Sequence, residues 1–344
     1  MEEIKNLIRK NIAELKPYSS ARDEYSGEAM VFLDANENPF NQPYNRYPDP
    51  LQRQLKEKIA KIKKVNPENI FLGNGSDEPI DLLNRAFCEP GIDNIISINP
   101  TYGMYQVAAD INNVEVKKIS LNENFDIVAD NILNAADKNT KLIFLCSPNN
   151  PTGNSLNREE IIKTVKNFNG IVIIDEAYID FAQSKSLLFE IEEHPNIVIL
   201  QTFSKAWGMA GIRLGIAFAS SEIINVLNKI KYPYNLSILT QKKALELIEK
   251  AGDVQEWVKM LVAEREKMAE LLNNFHFVEK TFPSDANFLL VKMKNANAVY
   301  NYLVEQGIIV RNRSKIHLCN DSLRITIGAA NENEILLKAL MNFV

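Results

Sequence analysis

The apolar positions of this chain alternate between two spacings. Residues 142–146 and 171–174 are unbroken apolar runs rich in Ile and Leu, and residues 196–200 are nearly so. Runs of this kind predict strands covered on both faces, because a strand with one wet face would alternate. Residues 69–72, 94–98 and 114–119 predict further strands. Between them the spacing widens to that of helices, over 52–64, 78–87, 102–110 and 159–167. Residues 4–15 predict a short amphipathic helix ending before Pro17, and residues 17–50, rich in Asn, Pro and Tyr, predict irregular chain. Strand and helix in alternation predict an α/β fold with a mostly parallel sheet and right-handed crossovers.

The rhythm changes after Pro233. A long helical stretch covers residues 239–273, with a break near Gly252. A strand over 286–292, a helix over 296–306, strands over 308–310 and 322–326 and a last helix follow. The chain is therefore expected to divide into an N-terminal arm with part of a small domain (1–44), a large domain (45–235) and a small α+β domain (236–344). A length of 344 residues suits such a division.

Composition narrows the class. Hydrophobic residues make up 46% and charged residues 24%, the balance of a globular protein with an ample core. A net charge of −5 argues against general nucleic-acid binding, which favours a basic face, while leaving room for a local cationic pocket. Cys88, Cys146 and Cys319 form no CxxC and no even framework, so reduced thiols and a cytoplasmic location are expected. His194, His276 and His317 show no metal-ligand spacing, and no metal is expected. Residues 1–16 have no apolar signal core, and no stretch approaches the roughly 20 apolar residues of a membrane span.

Lys205 is the most informative single residue. It follows an apolar strand ending in Thr202, stands next to Ser204, and precedes Arg213. Lysines after strands are usually solvated, but hydroxyls and a guanidinium fork in these positions suit a phosphate. Upstream, Asp175 closes a second buried strand, where a carboxylate is costly unless paired. An N-cap contact, a salt bridge or a pyridinium N–H would each compensate it. The set suits a lysine held as an imine with pyridoxal 5′-phosphate (PLP), the acid supporting the pyridinium nitrogen and the hydroxyls and Arg213 binding phosphate. A cationic neighbourhood would lower the pKa of the lysine.

Other segments offer partners for the same chemistry. Gly73-Asn74-Gly75-Ser76-Asp77-Glu78 follows a strand and opens a helix, where free N–H groups bind phosphate; Ser76 as a plain N-cap explains the same residues. Ser147-Pro148-Asn149-Asn150-Pro151-Thr152-Gly153 follows a strand at the ligand-binding end of such sheets, and also reads as a simple turn. An Asn here, such as Asn149, has the donor for a phenolate oxygen on a ring; Tyr178 could reach the same edge, and Tyr102 could stack on the ring. Arg311 and Arg324 lie beside strands of the small domain, as surface charge or as anion-recognition groups. Lys315 and His317 read as solvated loop residues.

In order, Gly-Ser-Asp, Pro-Thr-Tyr, Pro-Asn-Asn-Pro-Thr-Gly, Asp-Glu-Ala-Tyr, Ser-Lys and Gly-Ile-Arg resemble the PLP-dependent aminotransferases of fold type I. Leu33-Asp34-Ala35-Asn36-Glu37-Asn38-Pro39, Asn45-Arg46-Tyr47-Pro48-Asp49-Pro50, Arg85-Ala86-Phe87-Cys88-Glu89-Pro90-Gly91 and Leu323-Arg324-Ile325-Thr326-Ile327-Gly328 resemble the histidinol-phosphate branch of that family. Threonine-phosphate decarboxylases and aromatic aminotransferases share much of the frame. The resemblance implies the fold type I transferase architecture, with Lys205 as Schiff-base lysine and proton carrier. It implies Asp175 on the pyridine nitrogen, Asn149 and Tyr178 on the phenolic oxygen, and Tyr102 stacked on the ring. It places Gly75, Ser76, Asp77, Thr202, Ser204 and Arg213 at the cofactor and its phosphate, and Tyr47 at the partner subunit's site in a homodimer. Arg324 would grip the carboxylate of glutamate or 2-oxoglutarate. Arg311 and Tyr18 would meet the substrate phosphate, with Asn36 also at the substrate. The implied reaction is ping-pong amino transfer between L-histidinol phosphate and 2-oxoglutarate.

Overall fold

The computed structural model describes residues 3–18 and 30–343. Seven strands form the larger sheet: β1 (Ile70–Asn74), β2 (Asn94–Asn99), β3 (Glu115–Ser120), β4 (Thr140–Cys146), β5 (Ile171–Asp175), β6 (Ile197–Thr202) and β7 (Leu214–Ala219). Their order is β1-β7-β6-β5-β4-β2-β3. From β3 to β6 all neighbours are parallel, and β7 runs antiparallel between β6 and β1. The unbroken apolar runs account for the centre of this sheet, since every residue of β5 and β6 is buried. Lys117 and Lys118 lie on the edge strand β3, where charge discourages a further strand from adding.

Helices cover both faces. Asp77–Phe87, Met104–Ile111 and Ser221–Ile230 seat Leu83, Tyr105 and Leu227 in one core layer. Arg53–Lys63 and Arg158–Asn167 seat Ile59 and Val165 in the other, which continues under the smaller sheet through Ala286 and Phe288. That smaller sheet has the order β10-β11-β9-β8, all antiparallel, from β8 (Val278–Thr281), β9 (Phe288–Met293), β10 (Arg311–Asn312) and β11 (Ser322–Thr326). Helices Ala251–Leu272, Ala296–Glu305 and Ala330–Met341 pack with it around a third core.

Several elements depart from expectation. The helix expected over 4–15 forms as Ile4–Leu7 and Lys10–Glu14. Arg9 interrupts it, because its N–H donates to the Ala86 carbonyl and its guanidinium is drawn to Glu89 and the Arg85 carbonyl. The strand expected over 308–310 forms instead at Arg311–Asn312, which decides how three arginines are arranged below. The long helical stretch is broken close to Gly252, as expected, into Ile238–Ile248 and Ala251–Leu272, and Ala244 and Ile248 of the first share a core with Leu55 and Ile59 of the large sheet's flank. The spacing gave no warning of β7, β8 or the helices Ala129–Ala135 and Ser221–Ile230. Position 215 in β7 tolerates only glycine, because a Cβ there would fall 2.2 Å from the Gly75 carbonyl carbon. All three cysteines are buried and free. Among the described residues no helix is long and apolar enough to cross a membrane.

Candidate active site

The large sheet brings the sequence motifs to one edge. β2, β4, β5 and β6 end there, and so does β1, while antiparallel β7 begins there: Asn74 faces Leu214, and Cys146 faces Asp175. The chain leaves β2 for β3 at one rim and leaves β4 for β5 in the opposite direction, which opens a crevice between β2 and β4. A cavity of about 640 Å³ lies at this edge, with the arginines of the small sheet forming its opposite wall.

Asp175 lies at the cavity floor and is only 3% exposed. Its Oδ2 accepts from the Tyr105 hydroxyl at 2.6 Å, and its Oδ1 accepts from the Ala177 N–H at 3.1 Å. Burial pushes its pKa up, and these two hydrogen bonds offset the rise only in part. The carboxylate is thus held by two donors and still short of positive charge. Tyr105 escaped the sequence reading. It is fully buried, stacked on Phe144 at 4.8 Å, and its position three residues after Tyr102, at the inner face of a helix start, was the available signal.

Lys205 opens onto the cavity from the loop after β6, with its Nζ 5.6 Å from the centre of the Tyr178 ring. Lys205 is exposed at the cavity mouth, and the walls desolvate its amine only in part. This desolvation, reinforced by Arg324 and Arg213, lowers its pKa despite the opposing pull of Asp175. Tyr178 is buried beside it, and burial raises its phenol, so it stays a hydrogen-bond donor at neutral pH.

A cationic cradle sits at the junction of β1, β6 and β7. Gly75, at φ +70, holds its backbone so close to Arg213 that a Cβ would lie 2.5 Å from a guanidinium nitrogen. Ser76 and Asp77 begin the helix Asp77–Phe87, whose first N–H groups have no intrahelical acceptors. Thr202 and Ser204 line the same corner, where the Ser204 N–H donates to the Thr202 hydroxyl at 3.1 Å. Tyr102 also faces the cavity and donates to Asp77 at 3.0 Å.

The third group is cationic as well. β10 sets Arg311 directly opposite Arg324 of β11. Like charges directly opposite one another weaken strand pairing, so the arrangement needs another reason. Arg324 donates to Asn150 Oδ1 at 2.5 Å and lies over the Phe288 ring. Arg313 and Asn150 join the cavity wall, and neither was singled out from sequence.

Three residues expected at this cavity do not line it, and neither does Tyr47, which was expected at the partner subunit's site. Asn149 is fully buried behind the wall, with its amide donating to the Pro100 carbonyl and Thr152 while its oxygen accepts from Thr101. Both of its amide hydrogens have acceptors in this structure, and it is Asn150, only 7% exposed, that lines the cavity. Tyr18 is 71% exposed and Asn36 lies in the N-terminal arm, both off the cavity wall. Tyr47 stacks on Tyr234 at 4.4 Å, also off the wall of this chain's own cavity.

Against known proteins, the family model described as aminotransferase class I and II matches residues 29–340. The histidinol-phosphate aminotransferase of Parabacteroides distasonis is 59% identical over 342 residues, which is 99% of each chain. Among solved structures, the histidinol-phosphate aminotransferase from Clostridium acetobutylicum aligns with a TM-score of 0.79 at 28% identity, over 86% of this chain and 90% of that one. The enzyme of the same description from Sinorhizobium meliloti, solved in complex with pyridoxal-5′-phosphate, aligns with a TM-score of 0.80 at 21% identity, over 86% and 82%.

Proposed function

The chain belongs to the class I and II aminotransferases, and from that premise we infer that it moves an amino group between L-histidinol phosphate and 2-oxoglutarate. The products are imidazole acetol phosphate and L-glutamate, a step of histidine biosynthesis. The observation that carries this reading is a single cavity in which Lys205 and Asp175 lie between two separate cationic groups, one at Arg213 and one at Arg311 and Arg324. A phosphorylated cofactor fills one group and an anionic substrate the other.

PLP fits the residues present. Asp175 is a buried carboxylate lacking positive charge, as a ring N–H requires, and the Gly75–Arg213 cradle gathers backbone and side-chain donors suited to phosphate. When bound, PLP supplies an electron-withdrawing ring that accepts the electrons of the bond broken at the amino-bearing carbon. Asp175 would hold the ring's nitrogen proton. Ser76, Thr202, Ser204 and Arg213 would hold its phosphate, and Tyr178 would donate to its phenolic oxygen. Lys205, with its lowered pKa, would take the proton from the substrate's carbon and return it. Arg324, tethered by Asn150, would fix the carboxylate of the keto acid.

The assembly belongs to the same reading. Met30, Leu33 and Phe40 in the N-terminal arm are 97%, 92% and 76% exposed, an apolar surface suited to a second copy of the chain. A homodimer would bring Tyr47 to the partner subunit's cavity. The three free thiols suit the cytoplasm. The two-sheet division into a large cofactor-binding and a small C-terminal domain completes the proposal.

The test is the visible absorbance of PLP-loaded protein. L-Histidinol phosphate alone should bleach the band, and 2-oxoglutarate should restore it; a band indifferent to L-histidinol phosphate would sink the substrate assignment. A second expectation follows from the Lys205 environment. A lowered pKa means the free amine appears at lower pH, so PLP uptake by cofactor-free protein should accelerate through a midpoint below that of an ordinary lysine. Stopped-flow absorbance reads that midpoint, and an unshifted one would show that the cavity does not hold the amine as described.

A further inference from the structure

Arg313 has no part in the reading above, yet it faces the same cavity as Arg311 and Arg324. The backbone explains why. Arg311 stands opposite Arg324 across β10 and β11, and extended chain continues past β10, where the Arg313 N–H donates to the Ser322 carbonyl at 2.8 Å. Side chains two residues apart on extended chain share a face, so Arg311 and Arg313 point with Arg324 into one space. Among the described residues none of the three is paired with a carboxylate. The Nε atoms of Arg313 and Arg324 are both buried without an acceptor. Burial, then Arg324 and Arg311, lowers the Arg313 guanidinium to about 10. Three like charges with two orphaned donors make a surface whose complement carries more than one negative charge.

We propose that Arg313 is a specificity-determining residue that joins Arg311 in gripping the phosphate of the amino donor, and that it contributes little to the carboxylates of the keto acid. The proposal rests on the donor being phosphorylated, as inferred above. The chemistry of the two anions separates their needs. The keto acid's two charges stand on separate carboxylates at opposite ends of the molecule, each with two oxygens in one plane that a single guanidinium fork satisfies. A phosphate monoester carries about −1.5 to −2 charge on three terminal oxygens, more than one fork can match. Arg324 is already oriented by Asn150 and is the arginine that most affects Lys205, so it stands nearest the reacting centre. Arg311 and Arg313 remain for the far end of the donor.

The experiment uses PLP-saturated protein, so that the cofactor's own phosphate cradle is filled. Inorganic phosphate and succinate are titrated by calorimetry into the wild type and Arg313→Gln. Loss of one charge-assisted fork is expected to raise the phosphate Kd roughly 10- to 100-fold and the succinate Kd less than about threefold. KM for L-histidinol phosphate should rise in step with the phosphate Kd while kcat is nearly unchanged. Arg313→Lys, which keeps the charge without the fork, should recover part of the phosphate affinity. The Tm of Arg313→Gln should hold or rise, because one of three opposed charges is gone. Unchanged phosphate affinity, or equal losses for phosphate and succinate, would overturn the assignment. A selective loss of phosphate affinity in a protein that ignores L-histidinol phosphate would leave Arg313 a phosphate ligand and overturn the donor's identity instead.

Discussion

Lys205→Ala is expected to abolish transamination, lowering kcat by roughly 10³-fold or more, the scale of losing a positioned proton carrier and nucleophile together. The fold should survive. Lys205 opens onto the cavity and makes no hydrogen bond that holds an element in place, and its nearest described aromatic contact is the face of Tyr178. Its positive charge is also opposed by Arg324 and Arg213, so its removal relieves repulsion in the cofactor-free protein. Two measurements separate chemistry from folding. Far-UV circular dichroism and Tm should match the wild type, while amino transfer from L-histidinol phosphate to 2-oxoglutarate, followed as glutamate, should fall to background. Turnover within tenfold of the wild type in well-folded Lys205→Ala would remove the central residue of the proposed mechanism. An exogenous small amine offers a further check, since it can replace the missing base when the cavity admits it. Partial recovery with methylamine would assign the loss to the proton carrier itself.

The sequence displayed the centre of this fold because burial on both faces makes the middles of β4, β5 and β6 apolar, with polar residues only at their ends, and an unbroken apolar run is visible without any partner strand. The same fact made Asp175 legible, as a carboxylate closing a strand where water is absent. Lys205 and Arg213 were legible through their neighbours, Thr202 and Ser204, which ordinary surface chain has no reason to place together. What stayed hidden depends on register and on who satisfies whom. Arg313 looks like surface charge until β10 is found at Arg311–Asn312 and its face is seen to oppose Arg324. Asn149 has the right atoms for a ring oxygen, and its contacts with the Pro100 carbonyl and Thr152 cannot be read from spacing. Tyr105 reads as one more apolar position of an amphipathic helix, and only its depth against β5 turns its hydroxyl toward Asp175. β7 was missed because Gly215, which the nearby Gly75 and Ser76 backbone requires, leaves an apolar run of only four residues, 216–219.

Asp175→Asn is expected to separate stability from activity. In the cofactor-free protein this carboxylate is buried with two hydrogen bonds and no counter-ion in contact. Hydrogen bonds to a charged group contribute about 1.5–3 kcal/mol each, against an effective penalty of several kcal/mol for removing an ion from water. Burial outweighs the hydrogen bonds from Tyr105 and Ala177, which raises the pKa of the carboxyl. The sign of the pH dependence follows. An acid whose folded-state pKa lies above its unfolded value contributes stability that is fully present below the unfolded pKa and is lost as pH rises through the folded pKa. The wild-type apoprotein should therefore lose that contribution on going from acid to neutral pH. Asp175→Asn lacks the ionisation, so at neutral pH its apoprotein should be the more stable, and each 1 kcal/mol gained should raise the Tm by roughly 1–2 °C for a chain of 344 residues. Its activity should move the other way. An amide cannot hold the ring nitrogen's proton by charge, and losing electrostatic support at the reacting system costs on the order of 10²–10³-fold in kcat. PLP should also bind more weakly, because the buried charge that its ring proton would neutralise is gone. Tm against pH for both apoproteins, with PLP affinity from equilibrium dialysis, tests the argument independently of turnover. An Asp175→Asn apoprotein less stable than the wild type at neutral pH would mean that the carboxylate is paired by contacts beyond Tyr105 and Ala177, and that it does not stand ready for a cationic ring.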